Sequence, residues 1–249
     1  MTSWSLEMSS LTPDAVGRLS LDVLSLDATY RRLREDGHGG WGGAKFRSRL
    51  EGWDREISAW LSDSRVPPSG ARLLELGCGN GAIAALFAER GYEIAGIDIS
   101  EVALAWARDD FARRQLRGEF HFADLAEGIK PFADESFDVV VDGNCLHCIL
   151  GPKRASALAS VRRVVAPGGV YLVSSMCGDP RSLEACEGFD PDDRFLRQHG
   201  EPYRYLPTCD ALVSELTSAG FKILKKRVQE NEWWDHLWLL ASPSTYSHR

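Results

Sequence analysis

Hydrophobic positions recur along this chain at two spacings, and the switches between them predict alternating strands and helices. Residues 72–76 form an apolar run broken only by Glu75, which reads as a buried strand. It runs into Gly77, Gly79 and Gly81, after which Ile83, Leu86, Phe87 and Arg90 return at helical steps. The alternation continues downstream. Residues 92–98 predict a second strand and 100–113 a helix with Ser100 as its cap; 121–125 form a short third strand. Residues 137–141 are apolar almost throughout, as expected of a parallel strand covered on both faces. A helix over 153–165, a turn at Pro167, Gly168 and Gly169, and a fifth strand over 170–175 follow. A helix begun by Thr208 or Asp210 is stopped by Gly220, and final strands are predicted over 221–229 and 236–241.

Residues 1–70 carry no strand pattern. Apolar residues at 16, 19, 23 and 26 predict a short helix over 13–26 with Ser10 or Thr12 as cap, and 28–36 is a second short, mixed-charge segment. Glycines then crowd around His38 and Trp41 in a turning loop over 37–43, from which Trp41 could cover a pocket or fill a gap in the core. Phe46, Leu50, Trp53, Ile57 and Trp60 form the clearest amphipathic stripe, over 46–61, and such a stripe is expected to pack. Residues 176–208, rich in Asp, Gly, Pro and aromatics, are longer than an ordinary connection and predict an insertion with short helices.

A chain of 249 residues accommodates one large α/β domain with an accessory piece. Its net charge of -7 argues against broad binding to nucleic acid or an anionic membrane. Neither a secretion signal nor an 18-residue apolar span is present, so a cytoplasmic protein is expected. The six cysteines are too sparse for a disulfide scaffold. Cys145 and Cys148 have C-x-x-C spacing, but no second pair follows, and no metal is expected; Cys145, Cys148 and Cys177 could still converge at strand ends.

Alternate glycines after a first strand suit a site where backbone approaches a nucleotide-like ligand and presents amides at a helix start. A dinucleotide loop would place its third glycine where Ala82 stands, which weakens that alternative without removing it. Asp98, about 20 residues on, can accept the two hydroxyls of a ribose.

Glu75 through Gly81, Asp98, Asp124, Asn144 through His147 and the Pro167-containing turn together resemble the class I S-adenosylmethionine-dependent methyltransferases. The resemblance covers about residues 70–241. It implies an α/β, Rossmann-like, seven-stranded and mostly parallel sheet, with helices on both faces and a final antiparallel strand. It also implies an N-terminal helical cap over 1–70 and a methyltransferase domain over 71–249, with 176–208 as a substrate-side insertion. S-adenosylmethionine is the implied cofactor. Glu75, Gly77, Cys78, Gly79, Asn80 and Gly81 would lie at its methionine end, Asp98 at the ribose, Ile99, Asp124 and Leu125 at the adenine, and Asn144 at the reaction face.

Asn144 could orient an acceptor and His147 could remove its proton, or His147 could pack the following helix. Trp41, Tyr171, Tyr203, Arg204 and Tyr205 are candidate acceptor contacts; Arg181, Arg194 and Arg197 are further cations in the insertion, and any of these arginines could hold a carboxylate. The expected reaction is methyl transfer to a nitrogen or oxygen of a small molecule by a monomer or homodimer that binds neither nucleic acid nor membrane. Closure of the cofactor's own aminobutyrate arm with release of methylthioadenosine, and non-catalytic cofactor binding by a regulatory protein, remain alternatives.

Overall fold

The computed structural model describes residues 18–244. Its main sheet contains β1 (Arg72–Leu76), β2 (Glu93–Asp98), β3 (Gly118–Phe122), β4 (Phe137–Gly143), β5 (Val165–Cys177), β9 (Phe221–Gln229) and β10 (Asp235–Pro243). Their order is β3-β2-β1-β4-β5-β10-β9, with β1 to β5 mutually parallel and β10 antiparallel to both of its neighbours. This is the Rossmann-like seven-stranded sheet expected. The strand order reverses between β1 and β4, opening a crevice at their carboxyl ends, where open α/β sheets bind ligands.

Alternate residues of the central strands face opposite layers. Leu74, Leu76, Val140, Tyr171 and Val173 pack under α5 (Lys153–Val164) and α7 (Cys209–Ser218). Leu73, Val139, Val141 and Leu172 face α2 (Phe46–Leu61), α3 (Ala82–Ala88) and α4 (Glu101–Arg113). Burial on both sides explains the continuous apolar runs, and each fully buried aliphatic side chain contributes about 1.5–3 kcal/mol. The α2 stripe is core: Trp53, Trp60 and Trp238 of β10 form a triangle with ring centroids 5.1–6.0 Å apart.

Three expectations are corrected. From residue 18 on, the two segments foreseen before residue 37 are one helix, α1 (Arg18–Glu35), because neither Gly nor Pro occurs within it; Gly37, at φ +74°, ends it. The proposed caps Ser10 and Thr12 lie outside the described residues. The third strand is set three residues earlier, so Asp124 follows it and caps a 3-10 turn over Leu125–Glu127. The insertion contains one short helix, α6 (Leu183–Glu187), and a three-stranded antiparallel sheet of β6 (Phe189–Asp190), β7 (Phe195–Gln198) and β8 (Glu201–Tyr205). His199 and Gly200 both take positive φ in the β7–β8 turn, as a two-residue hairpin requires; the His-Gly pair is a weaker signal than Asn-Gly.

Candidate functional site

The glycine turn is shaped by what presses on it. Gly77 stands at φ +61°, and a Cβ there would meet the Cys145 Cβ and Sγ at 2.8 Å. A Cβ on Gly79, at φ +55°, would collide with the Tyr30 hydroxyl. Only glycine lets the post-β4 turn and α1 close on this backbone from two sides. Gly81 begins α3, whose Ala84 amide donates to Glu75 Oε2 at 2.8 Å. Glu75 is buried, and burial holds its carboxyl well above the ordinary range against the opposing effect of that bond. It braces the turn from beneath.

Asp98 ends β2 with its carboxylate held at both oxygens. Oδ2 accepts from the Gly79 amide at 2.8 Å and Oδ1 from the Ser100 amide at 2.9 Å. Burial raises its pKa, and these backbone bonds oppose the rise. Both oxygens retain acceptor capacity. At the next strand end, Asp124 Oδ1 accepts from the Ala126 amide at 2.8 Å, while Oδ2 is buried without a hydrogen-bond partner among the described residues. Leu125 is buried beside it and Ile99 is partly exposed.

The N-terminal segment reaches this edge directly. Asn80 Nδ2 donates to the Gly39 carbonyl at 2.8 Å, pinning the glycine-rich loop of residues 37–43 to the turn. Trp41, 37% exposed, packs against Tyr30 at 5.5 Å between ring centroids. Tyr30 is buried, and burial followed by the Asp98 carboxylate raises its hydroxyl pKa well above the ordinary value. Asp27, one turn earlier in α1, accepts from the Ser100 hydroxyl at 2.5 Å. Sequence reasoning missed Tyr30 and Asp27; their three-residue spacing, which puts both on one helix face, was the available signal.

After β4, Asp142 accepts from the amides of Cys145 at 2.6 Å and Leu146 at 2.9 Å, folding the chain into a 3-10 turn over Leu146–Cys148. Burial lifts its pKa to about 6. Asn144 stands within this turn at φ +78°, a conformation Asn tolerates better than most side chains and one that marks stored strain. Arg154 of α5 fastens the turn, donating to the carbonyls of Leu146 and Ile149 at 2.5 and 3.0 Å and pairing with Glu215 of α7 at 2.5 Å.

Several expected contacts take other positions. The Tyr171 side chain is fully buried in the α7 layer, 5.2 Å from the Phe221 ring, with its hydroxyl 3.5 Å from Asp142 Oδ2. It belongs to the core because β5 points it away from the crevice. The Cys78 thiol lies under β2, where a Cβ on Gly96 would come within 2.8 Å of it, so its backbone alone faces the turn. Tyr205 packs on Arg154, with the guanidinium 4.6 Å from its ring centre. Tyr203 is 42% exposed beside Arg204.

His147 is not a free base. It is 3% exposed, its Nε2 accepts from Arg204 Nη1, and burial, then the Arg204 charge, hold its pKa well below the ordinary value. Cys145 and Cys148 share the turn, whereas Cys177 meets Cys209 with sulfurs 2.6 Å apart; the three-cysteine convergence is replaced by that pair.

Comparison with known proteins follows the same outline. Residues 74–173 match the family described as a methyltransferase domain. The chain is 30% identical over 172 residues to O-methyltransferase cnsE of Penicillium expansum, covering 68% of this chain and 57% of that protein. It is 29% identical over 142 residues to the ubiquinone biosynthesis O-methyltransferase of Stutzerimonas stutzeri, covering 52% and 60%. It thus spans less than two thirds of the length of these curated relatives. Its fold matches that of the Burkholderia thailandensis 1,6-didemethyltoxoflavin-N1-methyltransferase, solved with 1,6-didemethyltoxoflavin and S-adenosylhomocysteine, with a TM-score of 0.66 and 20% identity over 94% of this chain and 93% of that one.

Proposed function

This chain belongs to the class I S-adenosylmethionine-dependent methyltransferase family, and from that premise we propose that it transfers a methyl group to a nitrogen or oxygen of a small molecule. One juxtaposition carries the reading. At neighbouring strand ends, the Asp98 carboxylate sits on a glycine-turn amide, and Asp124 keeps a buried oxygen without a donor among the described residues. A ribose offers two hydroxyls to the first, and an adenine amine offers a proton to the second. The residues therefore fit S-adenosylmethionine.

In this reading Gly77, Gly79 and Gly81 lie against the methionine end, with Glu75 supporting them through Ala84 and with Cys78 and Asn80 contributing backbone. Ile99 and Leu125 flank the adenine. The bound cofactor supplies the electrophilic methyl group. The chain's own contribution is to place the acceptor in line, to keep water out through Tyr30 and Trp41, and to orient the nucleophile with the Asn144 amide. Residues 1–70 act as the cap through α1 and the 37–43 loop, although α2 is built into the core. Residues 71–249 form the catalytic domain, with 176–208 on the acceptor side.

Among the described residues no helix is long and apolar enough to cross a membrane. We place the protein in the cytoplasm as a monomer or homodimer acting on a small molecule and not on nucleic acid. The test is incubation of purified protein with S-adenosylmethionine and a metabolite extract, followed by mass spectrometry. S-adenosylhomocysteine together with an acceptor heavier by one methylene is the expected result. Methylthioadenosine formed without any acceptor would replace this reading with intramolecular cyclisation.

A further inference from the structure

In the sequence Arg204 stands out among the four arginines of the insertion only by its place between two tyrosines, and the structure separates them by their partners. Arg181 pairs with Asp235, Arg194 with Asp179, and Arg197 with Asp190 and Asp193. Arg204 has no carboxylate partner among the described residues. Its Nη1 donates to His147 Nε2 and lies 3.6 Å from Cys148 Sγ, and its guanidinium is 5.5 Å from the Tyr203 ring centre. A guanidinium held by a neutral imidazole and an aromatic face keeps its full charge for a ligand.

The surroundings supply donors. Because His147 Nε2 accepts from Arg204, the neutral ring carries its proton on Nδ1, and this buried atom has no partner among the described residues. An unpaired buried donor is unfavourable unless a ligand or water completes it. From the cap, Arg49 of α2 lies against the 37–43 loop, where a Cβ on Gly42 would come within 3.1 Å of its Nη1. Arg49 has its pKa lowered, first by burial in the surrounding protein and then by the Arg204 charge. The corner adjoins the reaction face: Cys148, against Arg204, lies in the same post-β4 turn as Cys145, whose side chain presses on Gly77.

We propose that the methyl acceptor carries a carboxylate, bound by Arg204, and that His147 is the positioning residue that aims Arg204. This rests on the methyl-transfer reading for the word acceptor, whereas the anion site rests on the side chains alone. Arg204 can present two parallel N–H groups to a carboxylate while a third stays on His147.

The test uses the full chain, with and without S-adenosylhomocysteine, titrated calorimetrically with 4-hydroxybenzoate and its neutral counterpart 4-hydroxybenzamide. The acid is expected to bind at least about tenfold more tightly, since hydrogen bonds to charged groups are the stronger class. Arg204→Gln should abolish that preference and leave S-adenosylhomocysteine affinity within about twofold. Arg204→Lys, which retains charge without the planar fork, should keep a small part of it. His147→Ala should lose most of the preference, and His147→Gln, whose side-chain oxygen can accept from Arg204, should restore most of it. A structural strut would show no such rescue in ligand selectivity. Equal binding of acid and amide, undetectable binding of the acid, or an unchanged preference in Arg204→Gln would overturn the proposal. The cofactor-product assay described above decides the methyl-transfer reading separately, so either can fail alone.

Discussion

Replacing Asp98 with Ala tests the cofactor site at its most constrained point. In the free protein the substitution removes acceptors from the Gly79 and Ser100 amides, now bonded at 2.8 and 2.9 Å. Leaving two buried donors unsatisfied costs about 1–3 kcal/mol each, less whatever water can enter. In the complex the same carboxylate would accept two ribose hydroxyls, and bonds to a charged group contribute about 1.5–3 kcal/mol each. Losing both weakens binding by about 3–6 kcal/mol, or roughly 10²–10⁴-fold. Asp98→Asn keeps one oxygen and should fall between. Calorimetric titration with S-adenosylhomocysteine measures the affinities, and thermal unfolding without ligand measures the first loss separately. Affinity within twofold of the parent, accompanied by a lowered melting temperature, would reduce Asp98 to a brace for the turn and refute the ribose contact.

Other consequences follow from the same geometry. Arg154→Met should lower the melting temperature by roughly 5–15 °C, because it strips two carbonyls and Glu215 of a buried donor at about 2–4 kcal/mol, discounted for the partial exposure of Glu215; adding Glu215→Leu should recover part of the loss, and an unchanged melt would contradict the fastening role. His236, bonded to Ser174 at 2.6 Å, has its pKa lowered to about 4 by burial and then by Arg227. The unfolded chain therefore takes up its proton first: this contribution is complete above pH 6.5 and disappears as the pH falls through 4, with a size of about 2–3 kcal/mol. His236→Gln should flatten that segment of a denaturation-versus-pH curve, and an identical slope would exclude it. Asn80→Ala releases the Gly39 carbonyl and should speed proteolysis within residues 37–43 while costing only about 1 kcal/mol of global stability; unchanged cleavage would mean that other contacts hold the loop.

Periodicity by itself determined the alternating layers. Arg72–Leu76 and Phe137–Gly143 are apolar on both faces because helices cover both sides, and the α2 stripe repeats at the helical period because one face of that helix meets the sheet. Gly77, Gly79 and Asp98 were legible because a tight turn and a strand-end carboxylate depend on local backbone geometry. Tertiary structure decided what periodicity does not encode. It alone shows that Tyr171 faces α7, that Tyr30 closes on Gly79 from a helix some fifty residues upstream, and that His147 is occupied by Arg204. It also distinguishes Arg204 from Arg181, Arg194 and Arg197, which have the same chemistry in sequence and different partners in space. Side-chain pairing between distant segments depends on how the insertion and α1 come to lie over the sheet, and local residue order carries no record of that distance.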